Sequence, residues 1–166
     1  MKKLFVLGLI LALALAALPV LAEGEVEADA FTSASVNDPF AAYALSGDDL
    51  MNAIDAYSGF YAVASVNPDG TPNLGFYIYG CVKIEEKYYL QLGLSPNQTT
   101  ANVDAGSELV AMYAALPAEG ATYPTSGARM NLAKVTDEAL LEELLKTAPE
   151  GFTPMYYEIT AVRSLG

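Results

Sequence analysis

The sequence predicts a mainly β domain, a small antiparallel barrel with helices at its rims. Six stretches show the alternation of apolar and polar residues that is typical of strands, and the others that carry a pattern are short helices. The order is helix, three strands, short helix, two strands, helix and strand. This order lacks the regular alternation of helix and strand that a doubly wound sheet requires.

The first 22 residues have the features of an export signal. Lys2 and Lys3 form a basic start, an apolar run follows, and the run ends in Val-Leu-Ala, a cleavage pattern. We therefore predict a signal peptide over 1–22 and a secreted or extracytoplasmic protein. A membrane anchor is the alternative, but the run is at the short end of the roughly 17 to 25 residues that span a bilayer. The only cysteine, Cys81, lies far from the cleavage site, so we expect no membrane anchor after cleavage.

Composition excludes several partners and enzyme classes. The net charge is -12, and removal of 1–22 takes away two lysines and no acid, which leaves -14. Nucleic acid and anionic membranes are then poor partners, because the electrostatic term has the wrong sign. The chain has no His, which excludes a Ser-His triad, a His-ligated haem and an ordinary catalytic zinc site. We expect no metal site, and no side chain can be named as catalytic.

The domain is predicted to begin near residue 45. Residues 23–44 are acidic, small and aperiodic, which predicts a flexible N-terminal segment before a barrel domain over 45–166. Behind Ser46, the apolar residues recur at helical spacing up to Tyr57, which predicts a short amphipathic helix. The stretch FYAVASV at 60–66 predicts the first strand, and the turn NPDGT follows it.

The second predicted strand carries an aromatic residue or a glycine at nearly every step. Its aliphatic face is assigned to the core and holds Leu74, Phe76, Ile78, Val82 and Ile84. Its other face holds Tyr77, Tyr79, Cys81 and Lys83. The third strand, at 88–94, repeats the feature, since Tyr89, Gln91 and Gly93 alternate with its leucines. A partner subunit or a flat ligand is the expected cover for these second faces.

The remaining elements complete the predicted barrel. Cap-type residues and Gly106 bound a short helix within 95–106, and strands are predicted at 108–116 and 128–135. Asp137 caps an amphipathic helix with a leucine stripe. The last strand is predicted at 155–165.

This order, with DGTPN in the first hairpin and a polar turn plus short helix ending in Asn-Val after the third strand, resembles the pyridoxamine 5'-phosphate oxidase-like family of split barrels. The resemblance covers about Leu50 to Val162. It implies a six-stranded antiparallel Greek-key split β-barrel that forms a homodimer, with FMN in a groove between the subunits. It also implies an oxidoreductase whose flavin carries the electron transfer.

The resemblance implies a weakened phosphate site. Family members bind the FMN phosphate with basic residues at four positions, which are uncharged here: Gly75, Gly80, Gln98 and Thr99. The start of the short helix still offers N–H groups and hydroxyls. The expected cofactor-binding residues are therefore Tyr77, Tyr79, Gln98, Thr99, Thr100 and Asn102. Helix capping explains the polar members equally well, and Lys83, Arg129 and Lys134 are further candidates to meet an anion.

Two functions stay open at this point. One is an exported FMN-binding oxidoreductase; the alternative is a non-catalytic split barrel that binds a small ligand and has lost flavin binding. The missing basic residues favour the alternative. The eleven tyrosines fit either function, because a dimer interface buries tyrosine rings as readily as a flavin does. We predict a homodimer whose interface includes Tyr77, Tyr79 and Tyr89.

Overall fold

The computed structural model describes residues 40–122, 124 and 126–166, and these form one antiparallel sheet with helices around it. The strands are β1 (Phe60–Val66), β2 (Pro72–Gly75), β3 (Tyr79–Ile84), β4 (Lys87–Leu92), β5 (Leu109–Ala114), β6 (Gly127–Lys134) and β7 (Met155–Arg163). The helices are α1 (Gly47–Asp55), α2 (Gln98–Asp104) and α3 (Glu138–Leu145), preceded by a 3-10 helix, Ala41–Tyr43. The predicted signal peptide at 1–22 lies outside the described residues, as do residues 23–39.

The mainly β class and the predicted order of elements are confirmed. The predicted count of six strands is wrong, because the second predicted strand is interrupted at 76–78 and becomes β2 and β3. The Greek-key connection stays a prediction. The flexible segment predicted over 23–44 ends too late: Ala41–Tyr43 is helical and Leu45 N donates to Gly127 O at 2.9 Å, which joins this part of the chain to the sheet.

The interruption closes the sheet on itself. The strand order is β2-β1-β5-β6-β7-β4-β3, so that β2 and β3 form its two edges. Only residues 76–78 separate these strands along the chain. Four residue steps span at most about 14 Å, so the two edges lie close together and the sheet curls into a barrel.

Tyrosines fill the barrel interior. The Tyr61 ring makes edge-on contacts with Tyr79 and Tyr113, at centroid distances of 5.1 and 5.2 Å. Each hydroxyl donates to a backbone carbonyl: Tyr61 to Ile54 at 2.8 Å, Tyr79 to Met112 at 2.7 Å and Tyr113 to Ser58 at 2.8 Å. Because each hydroxyl has such an acceptor, burial of these three rings leaves no hydroxyl without a hydrogen bond.

The predicted assignment of inner and outer face for the second predicted strand is therefore wrong, because the two faces are exchanged. The alternation is correct, but Tyr79 and Cys81 are 1% and 2% exposed in the core. Leu74, Phe76 and Ile78, assigned to the core, are 73%, 69% and 60% exposed. Period-two alternation defines the two faces of a strand, and it does not say which face is inside when both are apolar.

Helix α3 covers the outer face of β3, β4 and β7. Leu144 on α3 is buried in a second cluster together with Tyr89 and Tyr156, and Val82 and Ile84 pack against this cluster. The Tyr156 hydroxyl donates to Leu144 O at 2.6 Å. The uncharged second face of β4 is thus covered by the chain's own helix. The prediction that Tyr89 lies at a subunit interface is wrong for the same reason.

Candidate functional site

The candidate site lies at the end of β2, beside the start of α2. Tyr77, in the interruption, turns inward and packs its ring over Gly75, where a Cβ atom would overlap the ring. The Tyr77 hydroxyl donates to Thr99 Oγ1 at 2.9 Å. Tyr77 therefore bridges the end of β2 and the first turn of α2.

A neutral polar cluster, made of Ser65, Asn67, Asn73, Thr99 and Asn102, fixes α2 to the β1–β2 hairpin. Asn73 Nδ2 donates to Thr99 Oγ1 at 3.0 Å and to Ser65 Oγ at 3.1 Å. Asn102 Nδ2 donates to Ser65 Oγ at 2.9 Å and to Asn67 Oδ1 at 2.8 Å. Thr99 is 1% and Asn102 0% exposed. Because each amide is paired inside the chain, the cluster positions the helix at little desolvation cost.

The start of α2 is capped by its own side chains. Asn97 Oδ1 accepts from Thr100 N at 3.1 Å, and the Thr100 hydroxyl donates to Ser95 O at 2.7 Å. Gln98 Nε2 donates to Asn102 Oδ1 at 2.7 Å. The polar residues of this turn thus have the capping role that the sequence also allowed.

Five of the six predicted cofactor-binding residues come together here: Tyr77, Gln98, Thr99, Thr100 and Asn102. Tyr79 does not join them, because its ring lies inside the barrel and its hydroxyl is bound to Met112 O. Thr99 and Asn102 are buried, which leaves Tyr77, Gln98 and Thr100 with exposed surface. Cofactor binding by these residues stays a prediction.

Gly75 and Gly80, at which the resemblance implies basic residues, are both crowded by neighbours. At Gly75 the space is taken by the Tyr77 ring. At Gly80 a Cβ would lie 2.8 Å from Gln91 Oε1 and 3.2 Å from the Tyr57 hydroxyl. Gln91 is itself held, since its Nε2 donates to Thr147 Oγ1 at 3.1 Å. A long basic side chain at either position would have to displace these groups.

The other candidates to meet an anion have partners elsewhere. Lys83 lies 3.2 Å from Asp48, and its pKa is raised by Tyr88 and by Asp48. Lys134 lies 3.9 Å from Asp104. Arg129 Nε donates to Ser164 O at 2.7 Å. Among the described residues, the polar cluster contains no cation and nothing in it favours a dianionic phosphate.

A carboxylate that the sequence did not single out lies at the edge of β3. Asp55 Oδ1 accepts from the backbone N–H of Cys81 at 2.8 Å. Asp55 as a whole is exposed, but the desolvation of its carboxyl beside the strand raises its pKa. Burial also raises the pKa of the Cys81 thiol to about 12, so this thiol is not a nucleophile at neutral pH. Nothing in the sequence distinguishes Asp55 from the other acids of α1.

The described residues contain neither a metal-binding cluster nor a membrane-spanning helix. In the part of the chain that the structure describes, no group of three His, Cys, Asp or Glu side chains could hold a metal ion. None of the described helices has the length and apolar character to cross a membrane.

No protein-family model and no curated protein matches the chain. Solved structures do match it. HupZ of Group A Streptococcus has a TM-score of 0.50 and 17% sequence identity, over 73% of this chain and 94% of HupZ. An FMN-binding protein from Syntrophomonas wolfei has a TM-score of 0.48 and 13% identity, over 70% of this chain and 84% of that one. A candidate pyridoxamine 5'-phosphate oxidase from Lactobacillus delbrueckii has a TM-score of 0.48 and 15% identity, over 72% and 91%. At these identities the likeness is one of fold.

Proposed function

We propose that this chain is an exported split-barrel protein of the pyridoxamine 5'-phosphate oxidase-like type whose own side chains occupy the FMN phosphate site, so that it acts as a non-catalytic small-ligand-binding module. The resemblance to this family, predicted from the sequence, is confirmed at the level of the fold. Flavin binding, oxidoreductase activity and export do not follow from the fold.

One observation carries the proposal. The Tyr77 ring fills the space over Gly75, and its hydroxyl is bound to Thr99 at the start of α2. Gly75 and Thr99 are two of the four positions where the resemblance implies basic phosphate ligands. The residues present therefore do not fit the phosphate: the space is taken by the Tyr77 ring, and Thr99, which carries the nearest hydroxyl, is only 1% exposed.

The charge of the protein supports the same conclusion. A charge-assisted hydrogen bond is worth about 1.5–3 kcal/mol against about 1 kcal/mol for a neutral one, so the loss of four basic residues costs orders of magnitude in phosphate affinity. The net charge of -12 also repels a dianion at long range. The ligand that suits this site is small and uncharged.

The second candidate function is an FMN-dependent oxidoreductase, for which the partly exposed Tyr77, Gln98 and Thr100 would supply cofactor contacts. In that case Tyr77 must leave its place over Gly75 when FMN binds. The flavin would supply the redox chemistry, and the chain would supply only its orientation.

Colour and an FMN titration separate the two functions. The purified exported protein should be colourless near 450 nm, and it should show no saturable FMN binding by calorimetry up to about 100 μM, a bound set by the lost charges. Copurified flavin, or binding in the low micromolar range, would establish the second function instead.

A double variant tests whether the Tyr77 ring and the missing positive charge are the reason that FMN does not bind. Tyr77→Ala combined with Gln98→Arg opens the space and adds a cation at an exposed position of α2. FMN affinity should rise by at least about tenfold, which corresponds to roughly 1.4 kcal/mol. Tyr77→Ala combined with Thr136→Arg is the control, since Thr136 is exposed on the loop before α3 and adds the same charge elsewhere. Equal affinities for both double variants would show that the phosphate does not bind at α2.

A further inference from the structure

A groove lies between helix α3 and the hairpin that joins β3 to β4, and we call it the α3 groove. Its volume is about 340 Å³, at the low end of the roughly 300–1,000 Å³ that is typical of small-molecule sites. Its walls combine apolar and charged side chains: Ile84, Ala139, Leu140, Glu85, Lys87 and Glu143. None of these residues belongs to the candidate site beside α2, so the α3 groove is a separate feature of the molecule.

Tyr89 also lines the α3 groove, and its hydroxyl has no partner in the described part of the chain. The residue is only 2% exposed. Tyr156 is buried under the same helix, but its hydroxyl donates to Leu144 O at 2.6 Å. Among the described residues, the Tyr157 hydroxyl is the one side-chain polar group that is both fully enclosed and unpaired. The Tyr89 hydroxyl is therefore not enclosed and reaches the open space of the groove.

A partner from outside the chain is the natural acceptor or donor for this hydroxyl, because buried polar groups are nearly always hydrogen-bonded. A second subunit does not supply it. The prediction that Tyr79 and Tyr89 lie at a subunit interface is wrong, since both rings are buried within one chain. Helix α3 covers Tyr89, so its partner must be small enough to enter the groove.

The α3 groove is acidic. Glu85 and Glu143 line it, and neither forms an ion pair with a described residue. Lys87 is held by Glu158, with 2.9 Å between Nζ and Oε1. Three carboxylates therefore surround one ammonium group, a local net charge of -2. Burial, followed by the charge of Glu158, raises the pKa of the Tyr89 hydroxyl, so it keeps its proton at neutral pH.

The apolar part of the groove suits a hydrocarbon body. Ile84 and Leu140 are half-buried and pack against the cluster under α3 that contains Tyr89. Their remaining surface lines the groove together with Ala139. An occupant that matches both parts has an apolar body and a positive charge.

We propose that the α3 groove binds a small organic cation, a primary amine with an apolar body. Its ammonium group donates to the Tyr89 hydroxyl oxygen and faces Glu85 and Glu143, while its body lies against Ile84 and Leu140. The net charge of the chain, -12, adds a long-range attraction for cations. An anion fits less well, because the lysine of the groove already has a carboxylate partner. Binding here does not depend on whether FMN binds beside α2.

Three probes with the same ring and different charge test the proposal: benzylammonium, benzyl alcohol and benzoate. In an NMR titration of the exported protein, benzylammonium should shift the amides of 84–89 and 138–144 saturably, with a Kd of about 1 mM or lower. The alcohol and the carboxylate should bind at least about tenfold more weakly, because they lack the charge-assisted bond. Added salt should weaken benzylammonium binding, since it screens the attraction.

Variants identify the groups that bind the amine. Tyr89→Phe should lower the benzylammonium affinity at least about tenfold, because a hydrogen bond to a charged group is lost. Its urea midpoint should match that of the parent, since the hydroxyl has no partner within the described chain. Glu143→Gln should lower the affinity about two- to fivefold. Glu142→Gln is the matched control, because Glu142 is exposed on the same helix and does not line the groove.

Four results would overturn the proposal. One is the absence of saturable shifts up to about 10 mM benzylammonium, a bound set by the expected affinity. Another is an equal affinity for benzylammonium and benzyl alcohol, which would leave the carboxylates without a role. The third is a set of shifts centred on α2 instead of α3. The last is a folded Tyr89→Phe variant that binds the amine as tightly as the parent.

Discussion

The Tyr77 hydroxyl donates to Thr99 Oγ1 at 2.9 Å and thereby joins the interrupted strand to the helix that follows β4. Tyr77 and Thr99 are 22 positions apart along the chain. The bond holds the Tyr77 ring over Gly75, in the space that a basic side chain would need. The bond therefore links two residues whose roles the sequence leaves open. Gly75 lies in no predicted turn, and Tyr77 lies on the strand face that was not assigned to the core.

Gly75→Ala should destabilise the protein by about 1–3 kcal/mol, because the added methyl group overlaps the Tyr77 ring. In a Tyr77→Ala background the same change should cost less than about 0.5 kcal/mol, since the clash is gone. Urea unfolding of the four proteins measures this coupling. An equal cost in both backgrounds would mean that Tyr77 does not occupy this space.

Asp55→Ala should destabilise the protein by about 1–3 kcal/mol, because the Cys81 N–H at the edge of β3 loses its acceptor. Asp55→Asn keeps an acceptor oxygen at this place and should cost less. Chemical denaturation at pH 7 compares the two variants. A larger loss for Asn than for Ala would contradict this role of the carboxyl oxygen.

Asp55 should also contribute a pH dependence. Desolvation raises its pKa in the folded protein above the ordinary value of 3.8, so the folded state binds the proton more tightly than the unfolded state. Between 3.8 and the folded pKa, this group therefore makes the free energy of unfolding fall as pH rises. The difference in stability between the parent and Asp55→Asn, measured from pH 3 to 7, should follow that sign.

Stability should fall above pH 10. Burial raises the pKa of Tyr61 and of Tyr157 to about 12 and raises that of Tyr79 and Tyr113 as well. Above about pH 10 the unfolded chain releases these protons while the folded barrel keeps them, so the free energy of unfolding decreases with pH. Denaturation at pH 8, 10 and 11 measures the slope. Replacing Tyr61 by Phe should reduce it.

The mature protein should begin at Glu23, since the signal pattern ends at Ala22. Mass spectrometry of the protein recovered from outside the cytoplasm checks this. Recovery of a chain that retains 1–22 would favour the membrane anchor.

The sequence by itself determined the class of the fold and the order of its elements. Periodicity and helix caps are local signals. The stretch FYAVASV predicts the strand at 60–66, which the structure shows. Asp137 predicts the start of α3, and its Oδ1 accepts from Leu140 N at 2.8 Å. The short helix α2 was also predicted from the sequence, because turn and capping residues precede it and Gly106 follows it. Local spacing was sufficient for all of these.

Only the tertiary structure decided which face of each strand is inside. Tyr79 and Phe76 belong to opposite faces of the second predicted strand, and alternation treats the two faces alike. The choice depends on distant groups: Met112 O accepts from the Tyr79 hydroxyl inside the barrel, while nothing in the described chain covers Phe76. Tyr89 is likewise buried because α3 packs over the outer face of β4. These contacts join residues far apart along the chain, and a pattern read within one strand has no information about them.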